Sequence, residues 1–318
     1  MNASLPAGAT PIAGRYTVGR ILGAGAAAVV HAGRDLRTNA SVAVKVYRPD
    51  GVAVRLQHQR EMEALARLHH PGLVTLHDSG TEPGPEGRTY VVTDLVEGPT
   101  LATRMQRGPL SVREIRKLAT ALAAALAHVH EGGFVHRDVK PANILLDHGS
   151  EPRLADFGIA RALDGTVATA TGAVAGTAAY LAPEQVRGEV VGPAADVYAL
   201  GLVLIEARTG RREYPGAMVE SATARLYRRP AVPPRLPRDL AALLHAMTDP
   251  EPAARPTAAD VAAILSGKPR PRRRRRVGHA LAAAGLLGLL LGGISLIDDA
   301  PAPQPVGAVV PVQMDPGD

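Results

Sequence analysis

The sequence predicts an α+β domain of two lobes, a small strand-rich lobe followed by a larger helical one, and then a single membrane-spanning helix. Short runs rich in β-branched and aromatic residues, broken by glycine and proline, fill residues 15–96, whereas helical periodicity dominates from residue 100 onward. An uncharged apolar segment of 21 residues lies near the C-terminus. Two lobes of different type predict a ligand site in the cleft between them.

Five strands and one helix are predicted in the strand-rich lobe. Glycine and proline within residues 81–88 indicate the turn of a hairpin between the last two strands. The helix is predicted over residues 54–68. The strands are predicted at 16–22, 29–32, 42–46, 73–77 and 90–96.

Capping residues predict where the main helices of the second lobe begin. Ser111, with Glu114 three residues later, forms a capping box before a long helix that should end at Gly132. Thr257 and Asp260 begin the last helix of the domain in a similar way. The apolar stripe of the long helix is Ile115, Leu118, Ala119, Leu122, Leu126 and Val129.

Composition excludes several classes of protein. The chain has no cysteine, which excludes a disulfide scaffold, a thiolate metal site and a cysteine nucleophile. Its formal net charge is +6, but seven of its 36 Lys and Arg residues lie between Lys268 and Arg276. Because the basic charge is confined to this run, we expect no nucleic-acid partner.

Residues 277–297 are predicted to cross a membrane as one helix. Twenty-one residues at a rise of ~1.5 Å span ~31 Å, which matches the ~30 Å core of a bilayer. The alternative is a buried core helix, but such helices are seldom uncharged over this length and rarely follow five consecutive arginines. The basic run precedes the segment, and residues 298–318 carry acidic charges only. The positive-inside rule therefore predicts a cell-membrane protein with a cytoplasmic N-terminal part and an external tail.

Small residues within this segment allow a closer association. Gly288 and Gly292 have the GxxxG spacing through which two membrane helices can approach, so a homodimer is one expectation. Gly and Ala are abundant here, however, and many such pairs have no partner. The basic run would meanwhile contact anionic membrane lipid.

Phosphate binding is suggested by two features of the strand-rich lobe. Gly23 and Gly25 lie between two strands, where backbone amides could approach a phosphate closely, although taken alone they are better explained by a flexible hairpin turn. Lys45 ends the next strand on the cleft side, either as a solvated lysine or as a phosphate ligand. In the second case it needs a carboxylate to fix it, and Glu61 is the candidate.

The strongest motif runs from His136 to Asn143 and follows the end of the long helix. Asp138 can accept a proton from a hydroxyl, and Lys140 can neutralise charge on a transferring phosphoryl group. Asn143 offers an oxygen to Mg²⁺, and Asp156, which precedes Phe157 and Gly158, offers a second one.

In order and spacing, these motifs resemble the eukaryotic-type (Hanks-type) protein kinases, and specifically the membrane-anchored bacterial serine/threonine kinases, over residues 15–266. The resemblance implies transfer of the γ-phosphate of ATP to Ser or Thr hydroxyls of proteins, with Mg²⁺, or Mn²⁺ in its place. It implies Asp138 and Lys140 as catalytic residues and Asn143 and Asp156 as metal ligands.

The resemblance also implies an ATP site, in which Thr93 is the gatekeeper and residues 94–96 form the hinge that holds adenine. The family usually has a glycine where Ala28 stands and often has one where Ala26 stands. The added Cβ atoms lie near the expected phosphates and so could change ATP affinity, but no catalytic or metal-binding residue is replaced. The implied ATP-binding residues are Leu22, Gly23, Ala24, Gly25, Ala26, Ala27, Ala28, Val29, Val30, Ala43, Lys45, Glu61, Thr93, Asp94, Leu95, Val96 and Leu145.

Further roles follow from the resemblance. Thr169 and Thr171 are implied as activation-loop phosphosites, which Arg137 would bind once they are phosphorylated. Asp196 is implied to brace the catalytic loop, and Glu184 to pair with a buried Arg255. Lys140 and Thr177 indicate Ser and Thr as targets. A regulatory stack is implied through Leu65, Leu76, His136, Phe157 and Asp196.

Two other functions compete with this interpretation. A pseudokinase scaffold would bind nucleotide and recruit partners to the membrane, but such proteins usually lack a catalytic or metal-binding residue. A small-molecule phosphotransferase of the aminoglycoside-kinase type would leave Thr177 and the motif from Ala182 to Glu184 unexplained. The predicted organisation is a disordered N-terminus (1–14), a kinase domain (15–266), a basic linker (267–276), the membrane helix (277–297) and an external tail (298–318).

Overall fold

Five antiparallel strands form the sheet of the N-terminal lobe in the computed structural model, which describes residues 10–25, 28–47, 62, 66–83, 87–156 and 179–267. The strands lie in the order β1-β2-β3-β5-β4. Val42 and Val44 point into a small core under this sheet, so the alternate residues Ala43 and Lys45 lie on its other face. The bounds are β1 (Tyr16–Ala24), β2 (Ala28–Asp35), β3 (Ser41–Tyr47), β4 (Leu76–Thr81) and β5 (Thr89–Asp94).

Strand β4 differs from the expectation of a strand over residues 73–77. Leu73 pairs instead, in a parallel bridge, with Leu154 of the helical lobe, and the strand of the sheet begins at Leu76. Gly80 lies within this strand. A Cβ at this position would meet the Tyr90 hydroxyl at 2.8 Å, so a glycine fits here without moving that side chain. The antiparallel pairing of β4 and β5 confirms the predicted hairpin. Strand β5 ends at Asp94, two residues earlier than predicted.

The helical lobe begins as its capping residues predict. The Ser111 hydroxyl accepts the N–H of Glu114 and the Glu114 carboxylate accepts the N–H of Ser111, which confirms the capping box of α2. The predicted stripe of α2 is buried, and Thr257 and Asp260 cap α7 in the same way. The helices are α1 (Leu101–Met105), α2 (Val112–Glu131), α3 (Pro183–Val186), α4 (Pro193–Thr209), α5 (Met218–Tyr227), α6 (Arg238–Met247) and α7 (Ala258–Leu265).

Helix α4 forms the centre of this lobe. It is apolar around most of its circumference and buries residues on every side, as expected of a helix enclosed by others. A short hairpin of β6 (Ile144–Leu146) and β7 (Pro152–Leu154), preceded by a 3₁₀ turn (Pro141–Asn143), interrupts the helices. This hairpin was not predicted, because strands of three residues give no recognisable pattern in the sequence.

Several predictions fall on residues outside the described ranges. The helix predicted over 54–68 is described only at residue 62 and from residue 66 onward. No helix among the described residues combines the length and apolar character needed to cross a bilayer. The segment 277–297 lies outside the described residues, so its membrane span stays a prediction.

Candidate active site

The carboxylate of Asp138 is held by two neighbours in the loop that follows α2. Lys140 Nζ donates to Asp138 Oδ2 at 2.7 Å, and Asn143 Nδ2 donates to the same oxygen at 2.8 Å. Asn143 Nδ2 also lies 2.9 Å from the backbone carbonyl of Asp138. The three residues that the sequence analysis assigned to this motif therefore meet at a single carboxylate.

The backbone of this loop is held by hydrogen bonds to Asp196, near the start of α4. Its carboxylate accepts the N–H groups of His136 and Arg137, each at 2.8 Å, and its side chain is 1% exposed. Arg137 has a φ of +63°, a left-handed conformation that is rare for a residue with a Cβ. The expected brace between Asp196 and the catalytic loop is confirmed.

Lys45 lies opposite the loop and forms an ion pair with Asp156. The Lys45 ammonium is 2.9 Å from Asp156 Oδ1, and this contact joins the N-terminal lobe to the segment after β7. Burial lowers the pKa of Lys45, but the charge and hydrogen bond of Asp156, with a smaller effect of Asp138, outweigh it, so that its pKa is raised. Lys45 is therefore a cation at neutral pH, as a phosphate ligand must be.

A backbone hydrogen bond holds the segment of Asp156 next to Asn143. Ala155 donates its backbone N–H to the backbone carbonyl of Asn143 at 2.8 Å, which places Asp156 beside Asn143. The amide NH₂ of Asn143 is committed to Asp138, so its Oδ1 is the atom that a metal would use. In the described part of the chain, no group of three or more His, Cys, Asp or Glu could hold a metal. The pair fits an ion such as Mg²⁺ that takes its other ligands from phosphate and water.

The residues predicted to hold the adenine and phosphates of ATP frame the cleft. In the β1–β2 hairpin, Leu22 and Gly23 lie near the end of β1, Gly23 pairs with Val30, and Ala24 pairs with Val29. The turn is closed by a hydrogen bond from Gly25 to the carbonyl of Ala28, 2.9 Å long.

The other side of the predicted nucleotide site is formed by three strands. Ala43 of β3 pairs with Thr93 of β5, so the predicted gatekeeper lies beside a residue expected to contact adenine. Asp94 ends β5, and Leu95 and Val96 follow it. Leu145 lies in β6 and pairs with Thr100.

A buried ion pair joins Glu184 of α3 to Arg255. The guanidinium binds the carboxylate through two contacts of 2.6 and 2.9 Å, and neither side chain is more than 2% exposed. Arg255 also donates to the carbonyls of Asp249, Ala194 and Pro250. This confirms the expected pair and leaves the charge of Arg255 fully compensated.

Other predicted residues lie outside the described ranges, so the structure does not report their positions. They are Ala26, Ala27, Glu61, Leu65, Phe157, Thr169, Thr171 and Thr177.

The structure adds functional neighbours that the sequence analysis missed. His130 Nε2 lies 2.9 Å from Asp196, and Arg225 of α5 donates to the carbonyl of Leu181. The Tyr180 hydroxyl donates to the Glu206 carboxylate at 2.5 Å. Each contact joins residues at least 26 positions apart, so no local pattern could have indicated it.

The two lobes, the braced loop that carries Asp138 and the Lys45–Asp156 ion pair between the lobes are features of the two-lobed kinase fold. The chain belongs to the protein kinase family, whose "Protein kinase domain" model matches residues 16–264. This agrees with the family expected from the sequence motifs.

Two bacterial relatives give the closer comparison. Serine/threonine-protein kinase PknB of Mycolicibacterium smegmatis is 41% identical over 227 residues, which are 69% of this chain and 36% of the relative. Serine/threonine-protein kinase PknA of Mycobacterium tuberculosis is 37% identical over 291 residues, 86% of this chain and 67% of the relative. The match to PknB thus covers little more than a third of that protein's length.

Proposed function

We propose that this chain is a protein kinase that transfers the γ-phosphoryl group of ATP to Ser or Thr hydroxyls of proteins. The observation that carries the proposal is the Asp138 carboxylate, held by Lys140 and Asn143 on a loop that Asp196 braces. Ser and Thr as the acceptors are supported by the PknB and PknA relatives, both of which are named serine/threonine-protein kinases.

Each charged group has a role in this reaction. Asp138 orients the acceptor hydroxyl and takes its proton as the new O–P bond forms and the bond to ADP breaks. Lys140, 2.7 Å from Asp138, stabilises negative charge on the transferring group, and Lys45 binds the nucleotide phosphates. Asn143 and Asp156 would hold a divalent ion, Mg²⁺ or Mn²⁺, which would neutralise charge on the phosphate oxygens when bound.

Adenine would lie against the strands described above. Residues 94–96 would hold it through backbone hydrogen bonds, with Val30 and Ala43 on one face and Leu145 on the other. Glu61 would hold Lys45 when nucleotide is bound, in place of the Asp156 contact seen here.

The proposal also covers how the kinase is regulated and where it lies in the cell. Phosphorylated Thr169 and Thr171 would bind Arg137, which directly precedes the base, and so couple the activation loop to catalysis. The segment 277–297 would anchor the domain to the cell membrane, with the domain in the cytoplasm and residues 298–318 outside. Gly288 and Gly292 would let two copies pair, which favours phosphorylation of one copy by the other.

Incubation of the full chain with Mg·ATP, followed by mass spectrometry of phosphorylated residues, tests the activity. We expect phosphate on Ser or Thr, with Thr169 and Thr171 among the sites. The matched control is Asp138→Asn, which should lower transfer about 10²-fold or more, since a positioned base contributes about 10²–10⁴-fold, while nucleotide binding persists.

Two results would contradict the assignment. Near-wild-type transfer by Asp138→Asn would exclude Asp138 as the base. Binding of Mg·ATP without any transfer, by the wild-type chain and with added Mn²⁺, would identify a pseudokinase scaffold instead.

Membrane attachment needs a separate measurement. The full chain should remain in the membrane fraction after an alkaline carbonate wash, and a variant without residues 277–297 should be released. The variant Gly288→Ile/Gly292→Ile should stay in the membrane but phosphorylate Thr169 and Thr171 more slowly at equal density. Equal rates would show that the helix is only an anchor.

A further inference from the structure

The side chain of Asp94 joins three segments of the chain at the junction of the two lobes. Its Oδ1 lies 2.7 Å from Nε2 of His77 in β4. Its Oδ2 accepts the backbone N–H of Thr75 at 3.3 Å and lies 3.5 Å from Nη1 of Arg153 in β7. Strand β4 belongs to the sheet of the N-terminal lobe and β7 to the hairpin of the helical lobe, so one carboxylate contacts both lobes.

The backbone around Asp94 is held to the same neighbours. The Asp94 N–H donates to the carbonyl of Thr75 at 3.0 Å, so Asp94 and Thr75 exchange two hydrogen bonds. Asp94 is only 29% exposed and Arg153 33%, which makes these contacts less screened than an ordinary surface pair.

The far end of the same segment is fixed by close packing. A Cβ on Gly98 would lie 1.8 Å from the carbonyl oxygen of Leu146, so the backbone passes directly against β6 there. Pro99 also accepts the N–H of Leu146 at 2.9 Å. Residues 95–97 therefore lie between two fixed points, the Asp94 contacts and the Gly98 backbone. Glu97 also contacts His148 at 3.1 Å, but both of those side chains are far more exposed than Asp94 and Arg153.

We propose that Asp94 is a positioning residue whose side chain, through His77 and Arg153, sets the backbone of residues 94–96 for adenine. The inference rests on the proposed function, because it takes this segment as the adenine-binding strip. The Asp94 side chain acts without touching nucleotide: it fixes the strip before ATP arrives, so less conformational entropy is lost on binding.

The test measures the dissociation constant of Mg·ATP for the full chain by calorimetry. Asp94→Asn should raise it about 3- to 10-fold, the range expected for losing one hydrogen bond of ordinary strength, because the side chain acts on ATP only through the backbone. The double variant His77→Phe/Arg153→Met should raise it by a similar factor. Adding Asp94→Asn to that double variant should raise it no further, because all three changes remove the same contacts.

Two controls separate positioning from general destabilisation. Arg153→Lys keeps the charge and should retain most of the affinity. Arg88→Met removes an ion pair with Glu82 in the same lobe, away from this segment, and should leave the dissociation constant unchanged. The KM for a peptide acceptor should not change in His77→Phe/Arg153→Met.

The outcomes are distinguishable. Wild-type ATP affinity in Asp94→Asn and in His77→Phe/Arg153→Met, even with lowered melting temperatures, would overturn the positioning role and leave the kinase proposal intact. Failure of the wild-type chain itself to bind Mg·ATP would overturn the proposed function, and this inference with it.

Discussion

The carboxylate of Asp196 accepts the backbone N–H groups of both His136 and Arg137, and this pair of hydrogen bonds holds Arg137 at a φ of +63°. The left-handed conformation costs a non-glycine residue roughly 1–2 kcal/mol, so it persists only where the surroundings enforce it. Asp138 follows directly. The geometry of the candidate base therefore depends on a carboxylate 58 positions away in sequence.

Asp196→Asn tests this dependence. The amide keeps the size of the side chain but replaces one acceptor oxygen with a donor, so one loop N–H loses its partner. We expect phosphoryl transfer to fall about 10²-fold, the cost of misplacing a reacting group by about 1 Å. ATP affinity, measured by calorimetry, should change little. Retention of wild-type transfer would show that the loop holds its conformation without the brace.

Removing one partner of the buried Glu184–Arg255 pair should destabilise the fold. Arg255→Met leaves the Glu184 carboxylate buried without a cation, and we expect the free energy of unfolding to fall by about 3–5 kcal/mol. Denaturant unfolding of the purified chain measures this. The control Lys117→Met breaks an exposed pair with Glu151 and should cost less than about 1 kcal/mol.

A double variant tests directly whether Glu184 and Arg255 interact. In Glu184→Gln/Arg255→Met no unpaired charge remains, so its loss of stability should be smaller than the sum of the two single losses. A strictly additive result would mean that the two side chains do not interact as the structure indicates.

The sequence predicted most of what is local in this fold. The capping boxes at Ser111 and Thr257 identified two helices, because an N-cap and its N3 partner lie within one turn. The loop motif from Asp138 to Asn143 was recognisable because its members are neighbours in sequence. Strand β4 was misplaced because residues 78–80, Asp-Ser-Gly, have low strand propensity, and their pairing with β5 overrides it.

Contacts between residues far apart in sequence could not be predicted, because they depend on the whole fold. Asp94 meets Arg153 only after the two lobes have formed, and the β6–β7 hairpin that carries Arg153 is too short to give a strand pattern. The hydrogen bond from Arg225 to the carbonyl of Leu181 likewise joins residues 44 positions apart, so no local pattern predicts it. Pairing of distant charges follows from topology, which the local pattern does not encode.

Among the glycines that the structure describes, Gly98 is the one where an added methyl group would make the closest contact. Its Cβ would lie 1.8 Å from the Leu146 carbonyl oxygen, a backbone atom that cannot move aside without shifting β6. Gly98→Ala should therefore lower the free energy of unfolding by about 1–3 kcal/mol or more and weaken Mg·ATP binding.

Gly149→Ala is the matched control for this prediction. It lies in the turn of the same β6–β7 hairpin, and its added Cβ would meet Asp147 Oδ1 at 3.4 Å and Glu151 Cγ at 3.9 Å, both side-chain atoms at ordinary contact distances. We expect both stability and ATP affinity to stay near wild type. If both alanine variants behave alike, the close approach of Gly98 to β6 is not a constraint on the fold.

His136 should make the domain sensitive to mild acid. Burial lowers the pKa of its imidazole, although Asp196 and Asp138 act in the opposite direction, and the ring is completely inaccessible to solvent. Above the unfolded-state pKa of about 6.5, His136 is neutral in both states and its contribution to stability is fully present. As the pH falls below that value the unfolded state takes up a proton first, so stability is lost towards the lower folded-state pKa.

The measurement is the free energy of unfolding of the wild type and of His136→Gln between about pH 7.5 and about pH 5.5, the window around the histidine pKa. The wild type should lose up to about 1.4 kcal/mol per pH unit from this one proton, and His136→Gln should show a flatter profile. His70, whose pKa is also lowered by burial, accounts for a remaining slope of the same sign. Because carboxylates such as Asp35 and Glu82 have lowered pKa values, their contributions are lost only at more acidic pH. Identical slopes in the two proteins would show that His136 is not the group that titrates.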